Sequence, residues 1–326
     1  MALNKEQILT LTCLKEVGLS GFGTQKIMIL GTYMADNDLT VETYEDLCDI
    51  IKKQKGAVFQ KVTLNDLSDA NKIARKIINE SERYNIGYVG FYDEDFPEAL
   101  RSTINEEGKQ DPPLLLWYRG DLSITKLPGF AVIGTREPTD EGVSGGQYLS
   151  GEFAKRGFNI VSGLAIGCDT SGHKGALKVG GKTTAILANG LDHDSIYPPE
   201  NQDLAEEIVK NGGLLLSEYY IGKTVNRYNL VARDRLQSGL AKATLVVQTG
   251  VKGGTMHAAT ATHMAGKPLF VVQYKDDALN NHEKCQGNAY LVEKKWASYI
   301  KGSDNLDEIC NSILDKKIIV QKSLFD

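Results

Sequence analysis

The sequence predicts an α/β protein with a doubly wound parallel sheet. Between Gly129 and Tyr299, short apolar runs alternate with helix-like segments, which is the rhythm of strand–helix–strand units. The chain has 326 residues, of which 41% are hydrophobic and 24% are charged, a composition that can bury a full core. Because this length exceeds that of one average domain, a second and smaller domain is also expected.

Residues 1–84 are predicted to form a separate helical domain. Two segments with apolar residues at helical spacing flank a glycine-containing turn at residues 18–23. Helix, glycine turn and helix is the outline of a SAM-like or helix-hairpin-helix domain. Such a domain can contact a DNA backbone, although the turn has few basic residues and only Lys26 lies nearby. Protein interaction or simple packing is the alternative role.

Residues 85–301 are predicted to form the main domain, and residues 302–326 a C-terminal tail with one short helix. The apolar runs of the main domain are bounded by turn residues, as buried parallel strands are. Ligands bind at the carboxyl ends of strands in such a sheet. The predicted core strands are Phe130–Ile133, Phe158–Val161, Thr183–Leu187, Leu214–Ser217, Thr244–Val247 and Leu269–Val272. The clearest predicted helices are Glu141–Arg156, Leu204–Lys210 and Thr255–Ala265.

The net charge of −5 excludes an overall basic field that would hold the protein to nucleic acid or to an anionic membrane. A polyanion would therefore need a local basic site. The five cysteines are widely spaced and form no CxxC pair, which favours reduced thiols over a disulfide framework or a zinc site. The N-terminus has no signal-peptide pattern, and no apolar run is long enough to span a bilayer. We therefore expect a cytoplasmic protein with no membrane partner.

The stretch 158–177 has the pattern of a strand, a tight turn and the start of a helix. Ser162 and Gly163 follow the apolar strand, and Gly167 precedes the helix. Backbone N–H groups and the dipole at a helix start attract anions, and glycine lets a phosphate approach the main chain. The pattern therefore favours a phosphate-containing ligand, although close packing of a helix on a sheet also requires small residues. His173, on the same helix, is interpreted as a structural residue.

Basic residues occur near other predicted strand and helix ends. Arg136 follows a strand and a glycine turn, where its guanidinium can bind a phosphate with two hydrogen bonds. Lys182 lies in a sequence that resembles the end of a Walker A loop, but Ala176 replaces the required glycine. Because Lys182 precedes a strand, it is nominally at the edge opposite the ligand. Arg233 and Arg235 are two positions apart on a helix, so at most one is expected to face the ligand.

A second glycine-rich helix start is predicted at residues 252–255. Lys252, Gly253, Gly254 and Thr255 would form another backbone anion site, with Thr255 as a candidate helix cap. The sequence has no paired carboxylates, no nucleophile–histidine–acid spacing and no cluster of metal ligands. These residues therefore predict phosphate or nucleotide binding without a catalytic residue, a metal or a cofactor.

Five motifs resemble, in order and spacing, those of the DNA-processing protein A (DprA/Smf) family. They are Gly134–Thr139, Ser162–Asp169 with His173, Gly190–Asp192 followed by Tyr197–Asn201, Ser217–Tyr219, and Arg233–Arg235. The resemblance covers roughly residues 86–296. It implies an extended Rossmann-like fold, a SAM-like N-terminal domain and homodimers. It also implies binding of single-stranded DNA without cleavage, and loading of the recombinase RecA during natural transformation.

Several DNA-contacting residues are implied by the motif match, and the patterns described above add Gly167, Arg235 and Lys252. The complete predicted set is Arg136, Ser162, Gly163, Gly167, Lys182, Arg233, Arg235, Lys252, Gly253, Gly254 and Thr255. A basic groove of this kind follows the sugar-phosphate backbone, and its affinity should fall steeply with salt.

The chain departs from the family pattern at two motifs. Asp234 stands between two arginines where the family has asparagine, and Lys252-Gly-Gly-Thr255 replaces a Ser-Gly-Ser-like turn. An acid beside a phosphate opposes binding unless it pairs with an arginine, whereas Lys252 restores positive charge. The C-terminal winged-helix domain of some members is expected to be missing. The prediction is therefore a diverged member of the family.

Two alternative functions would use the same anion sites. Related Rossmann-like proteins hydrolyse nucleoside monophosphates with a Gly-Gly-x-Gly-Thr turn that is followed by a catalytic glutamate. Here Met256 and His257 follow the turn, and no glutamate occurs until Glu283, which counts against a phosphoribohydrolase. The other alternative is a nucleotide-binding sensor. The main prediction is a non-enzymatic protein that protects single-stranded DNA and passes it to a RecA-type recombinase.

Overall fold

A computed structural model describes residues 3–315, which form two compact units. The first unit holds the chain up to Phe96 together with Pro113–Trp117, and the second holds Pro97–Pro112 and the chain from Tyr118 onward. The predicted division after residue 84 differs from these units because the first strand and part of the second fall with the helices. Residues 316–326 of the predicted tail lie outside the described residues.

The first unit is mainly helical. Three of its helices begin with a reciprocal capping box, which satisfies backbone N–H groups that would otherwise lack partners. In α5, for example, Thr63 Oγ1 accepts from the Asp66 N–H, and the Thr63 N–H donates back to the Asp66 carboxylate. The elements are α1 (Lys5–Cys13), α2 (Thr24–Asp36), α3 (Tyr44–Lys52), α4 (Ala57–Lys61), α5 (Leu64–Glu82) and β1 (Gly87–Gly90).

The second unit alternates strands and helices, as the sequence predicts. Its strands are β2 (Leu115–Gly120), which starts in the first unit, β3 (Gly129–Ile133), β4 (Asn159–Ser162), β5 (Thr183–Leu187), β6 (Leu214–Ser217), β7 (Ala241–Val246), β8 (Leu269–Val272) and β9 (Ser298–Ile300). Its helices are α6 (Glu98–Arg101), α7 (Asp140–Lys155), α8 (Cys168–Lys178), α9 (Gln202–Lys210), α10 (Arg227–Leu240), α11 (Gly254–Met264), α12 (Asp277–Asn280), α13 (Gln286–Glu293) and α14 (Leu306–Asp315).

The strands β3–β9 lie in the order β6-β5-β4-β3-β7-β8-β9, and each neighbouring pair is parallel. The chain therefore proceeds outward from β3 in one direction and then returns to start again at β7. A reversal of this kind opens a crevice at the carboxyl ends of the two central strands. The predicted doubly wound, Rossmann-like α/β fold is confirmed.

Buried apolar residues cover the sheet around β3. Phe130 stacks on Phe153 of α7, with ring centroids 3.7 Å apart, and the buried face of α14 joins the same core through Leu306, Cys310 and Ile313. The sequence did not predict β9, because two of its three residues are exposed and it has no apolar run. None of the helices in residues 3–315 is long and apolar enough to cross a membrane.

Candidate functional site

A cleft of about 640 Å³ lies in the second unit, at the carboxyl ends of β3 and β7. Loops that follow these strands meet one side of α10 and the amino-terminal turn of α11 there, as expected for a switch point. The charged side chains that line it are four cations and three carboxylates, together with one histidine. They are Arg136, Arg227, Arg233 and Lys252, Glu137, Asp169 and Asp234, and His257.

The loop after β3 is held in place by Gln248, which follows β7. The backbone carbonyl of Gln248 accepts from the Thr135 N–H at 2.7 Å, and its side-chain Oε1 accepts from the Thr139 N–H at 2.9 Å. Arg136 between these two anchors is exposed, and its guanidinium lies 6.0 Å from the centre of the Tyr197 ring. The loop therefore presents an exposed cation on a backbone that is held at two points.

Arg233 is the buried cation of the cleft, with only 7% of its surface exposed. Its Nη1 donates to the carbonyl of Ile186 at the end of β5. The Gln237 amide, oriented with its oxygen toward its donors, accepts from Arg233 Nη1 at 3.0 Å and from the Gly163 N–H at 2.7 Å. Asp234 Oδ1 lies 3.2 Å from Arg233 Nε, but among the described residues Nε has no aligned acceptor. Because this N–H is itself buried beside the Asp234 carboxylate, Arg233 contributes its positive charge to the cleft rather than a free N–H group.

Two carboxylates, those of Asp234 and Asp169, interact electrostatically with the Arg233 guanidinium and offset its positive charge. Burial raises the pKa of Asp234 to about 6, while the Arg233 guanidinium acts in the opposite direction and Asp169 adds to the rise. Burial also raises the pKa of Asp169, again against the effect of Arg233. The cleft is therefore less positive at neutral pH than its four cations suggest, and it becomes more positive on acidification.

The start of α11 forms one wall of the cleft. Gly253 is the N-cap residue with a φ of 132°, a conformation that favours glycine, and no side chain of the described residues caps the helix. The prediction that Thr255 caps this helix is wrong, because Thr255 lies inside its first turn. The backbone N–H groups of this turn and the side chain of Lys252 border the cleft, where they can bind an anion.

The turn after β4 packs against residues that line the cleft. A Cβ atom on Gly163 would collide with the guanidinium of Arg233 and the carboxylate of Asp169, so only glycine leaves room for this pair. Gly167 has a φ of 85°, and a Cβ there would collide with the backbone of Arg136. Ser162 is fully buried, and its hydroxyl donates to the carbonyl of Val132. These residues shape the site, but none of Ser162, Gly163 and Gly167 lines the cleft itself.

His173 lies beneath the same turn and is fully buried. Its Nε2 is 2.8 Å from the Gly163 carbonyl, which can only accept, and its Nδ1 is 2.7 Å from Thr183 Oγ1. The Gly163 carbonyl makes Nε2 a donor, and the one hydroxyl hydrogen of Thr183 lies between two acceptors, His173 Nδ1 and the Ile160 carbonyl at 2.7 Å. Burial lowers the pKa of His173 to about 4. The structural interpretation of this histidine agrees with its contacts.

The structure does not bring Lys182 or Arg235 to the cleft. Lys182 precedes β5, at the opposite edge of the sheet, where its Nζ donates to the Gly212 carbonyl at 3.0 Å. Arg235 pairs with both carboxylate oxygens of Glu218, at 2.7 and 2.8 Å, and its Nε lies 2.7 Å from Asp111 Oδ2. Helical spacing separates Arg235 from Arg233, and of the two arginines only Arg233 lines the cleft.

Three residues of the site were not predicted from the sequence. Gln248, Gln237 and Arg227 were not among the predicted residues, although Arg227, Leu230 and Asp234 recur at helical spacing and could have been recognised as one face of α10. No group of three or more His, Cys, Asp or Glu side chains within residues 3–315 could hold a metal ion.

Comparison with known proteins places residues 87–312 within the pattern of the DNA recombination-mediator protein A family. Protein Smf from Synechocystis is 36% identical over 211 residues, which is 64% of this chain and 51% of that protein. DNA processing protein DprA from Bacillus subtilis is 35% identical over 163 residues, which is 50% of this chain and 54% of that protein. The chain thus spans about half the length of these curated relatives.

Two solved structures share the fold over most of the chain. DNA processing protein A from Streptococcus pneumoniae superposes with a TM-score of 0.71 and 26% identity, covering 94% of this chain and 99% of that one. DNA processing protein A from Helicobacter pylori, described for its single-stranded DNA binding mode, gives a TM-score of 0.58 and 31% identity. That comparison covers 70% of this chain and 95% of the other.

Proposed function

This chain belongs to the DNA recombination-mediator protein A family, and on that premise we propose that its cleft binds single-stranded DNA and performs no reaction on it. The observation that carries the proposal is the convergence of Arg136, Arg233 and Lys252 with the uncapped start of α11 in one cleft. Guanidinium groups, an ammonium group and backbone N–H groups are all phosphate ligands. Sequence-tolerant binding of a single strand requires such a backbone-tracking groove.

The solved relative from Helicobacter pylori, whose structure concerns single-stranded DNA binding, supports the choice of ligand. We further propose that the bound strand is protected and passed to a RecA-type recombinase, and that the chain acts as a homodimer. The recombinase step is supported by the family description alone, and the dimer by the resemblance of the motifs. A cytoplasmic location remains a prediction from the sequence.

The first test is the salt dependence of binding. We expect the chain to bind a fluorescent, unstructured oligo-dT with an affinity that falls as salt rises, because each neutralised phosphate releases counterions. Three phosphate contacts would give a slope of log affinity against log salt of about −2. Fluorescence anisotropy at four salt concentrations measures this slope.

A parallel assay tests the enzyme alternative. Nucleoside monophosphates are incubated with the chain, and released ribose phosphate is measured. Release of ribose phosphate, or failure to bind the oligonucleotide at low salt, would contradict the proposal.

The carboxylate of Asp234 should oppose DNA binding. We expect Asp234→Asn to bind oligo-dT about three- to tenfold more tightly at pH 7.5, because the variant removes a negative charge from the cleft. Burial raises the pKa of Asp234 to about 6, so the parent chain should gain affinity as the pH falls through that value. Affinity is measured for both proteins between pH 5 and 8.

His257 also lines the cleft, but it is present in both proteins. A difference between their pH dependences is therefore due to Asp234. The gain in affinity on acidification should therefore be smaller in Asp234→Asn than in the parent. Equal gains in the two proteins would show that Asp234 does not control the charge that the DNA meets.

A further inference from the structure

Tyr228, in the first turn of α10, is the most exposed of the large apolar side chains in the described part of the chain. Its exposed fraction is 87%, whereas no other such side chain exceeds 50%. The start of the helix is fixed, because Asn226 Oδ1 accepts from the Asn229 N–H at 2.9 Å. The ring of Tyr228 is therefore almost fully solvated although it stands on a regular helix. It has no packing role in the hydrophobic core that would explain an aromatic residue at this position.

The position of Tyr228 on the helix places it at the rim of the cleft. Arg227 precedes it, Val231 follows it by three residues, and both of these side chains line the cleft. Residues three apart on a helix are neighbours on its surface. Tyr228 is therefore next to the cationic cleft without filling it.

A second aromatic ring lies beside another cation of the cleft. The ring of Tyr197 is 37% exposed, and the Arg136 guanidinium lies 6.0 Å from its centre. Rings placed beside cationic phosphate sites are the arrangement that single-strand binding uses, because the backbone contacts the cations while the bases stack on the rings. The apolar side chains of Leu230 and Val231, on the same helix as Tyr228, line the cleft itself.

From this placement we infer that Tyr228 is a stacking platform for a base of the strand whose phosphates lie in the cleft. The inference rests on the proposed function and adds a contact with the base. We assign a nucleobase as the occupant because the Tyr228 ring adjoins the proposed site for the phosphates of the same DNA strand. Every base has a flat face that can stack on the ring, so this contact suits sequence-tolerant binding. Contact with a protein partner is the alternative that the experiment separates.

The experiment compares oligo-dT with an oligonucleotide of the same length and charge that consists of abasic residues. Binding of each is measured by fluorescence anisotropy for the parent chain, Tyr228→Ala and Tyr228→Phe. We expect Tyr228→Ala to weaken oligo-dT binding about tenfold and to leave abasic binding unchanged. Tyr228→Phe should bind like the parent, because stacking needs the ring and not the hydroxyl.

The control is Tyr299→Ala, which removes a 41% exposed tyrosine from β9 at the far edge of the parallel sheet and should leave both affinities unchanged.

Parental affinity of Tyr228→Ala for oligo-dT would overturn the inference. Equal losses on both oligonucleotides would also overturn it, as would a change in molar mass by light scattering that accounts for the loss. A parent chain that binds neither oligonucleotide would overturn the proposed function and this inference together, whereas the other failures leave the proposed function intact.

Discussion

Arg136→Ala should weaken binding of oligo-dT about 10- to 100-fold at low salt, which is the loss expected for one charge-assisted phosphate contact. Arg136 is exposed on a loop whose backbone is held at both ends by Gln248. Removal of its side chain should therefore cost affinity without disturbing the fold. The slope of log affinity against log salt should become shallower by about 0.7 for each phosphate contact that is lost.

The matched control for this variant is Lys178→Ala. Lys178 is an exposed cation at the last residue of α8, so its removal changes the net charge equally without touching the cleft. Lys182→Ala should also keep full affinity, since its Nζ contacts the Gly212 carbonyl at the opposite edge of the sheet. Full affinity of Arg136→Ala, or an equal loss of affinity in Lys178→Ala, would contradict the proposed contact between Arg136 and a phosphate.

The arginine and lysine candidates show what the sequence can and cannot predict about this site. Local spacing predicts that Arg233 and Arg235 point in different directions, because residues two apart on a helix do not share a face. It also predicts that Lys182, before a strand, lies away from the ligand-binding edge. It does not predict which arginine faces the cleft, because the choice depends on Glu218 and Asp111, which form ion pairs with Arg235.

The fold was more predictable than the cleft for a physical reason. Buried strands carry their own signal, since β3 to β8 are apolar runs that end in turn residues. The contacts that shape the cleft join distant segments, such as the hydrogen bond from the Thr139 N–H to Gln248, 109 residues further along the chain. A single glutamine after a strand has no recognisable sequence pattern. Its hydrogen bonds to the loop after β3 can be inferred only when the order of the strands in the sheet is known.

His173 connects this cleft to the stability of the whole second unit. Its imidazole joins the carbonyl of Gly163, beside Arg233, to Thr183 in β5. Burial lowers its pKa to about 4 from an ordinary value of 6.5, so the folded state resists protonation. Below pH 6.5 the unfolded chain takes up a proton that the folded chain does not, and stability is lost until the pH reaches about 4. The loss should total about 3 kcal/mol, at 1.36 kcal/mol for each unit of pKa difference.

Replacement of His173 by glutamine should remove this pH dependence, because the amide can still donate to the Gly163 carbonyl but does not titrate. We expect His173→Gln to be less stable than the parent at pH 7.5, since it loses the contact with Thr183. The difference should shrink by about 3 kcal/mol between pH 7 and pH 4. Urea denaturation followed by circular dichroism measures the two curves, and an NMR titration of the imidazole measures its pKa directly. Other groups that titrate in this range are common to both proteins, so parallel stability curves, or an imidazole that titrates near 6.5 in the folded state, would show that the buried neutral histidine does not hold the turn.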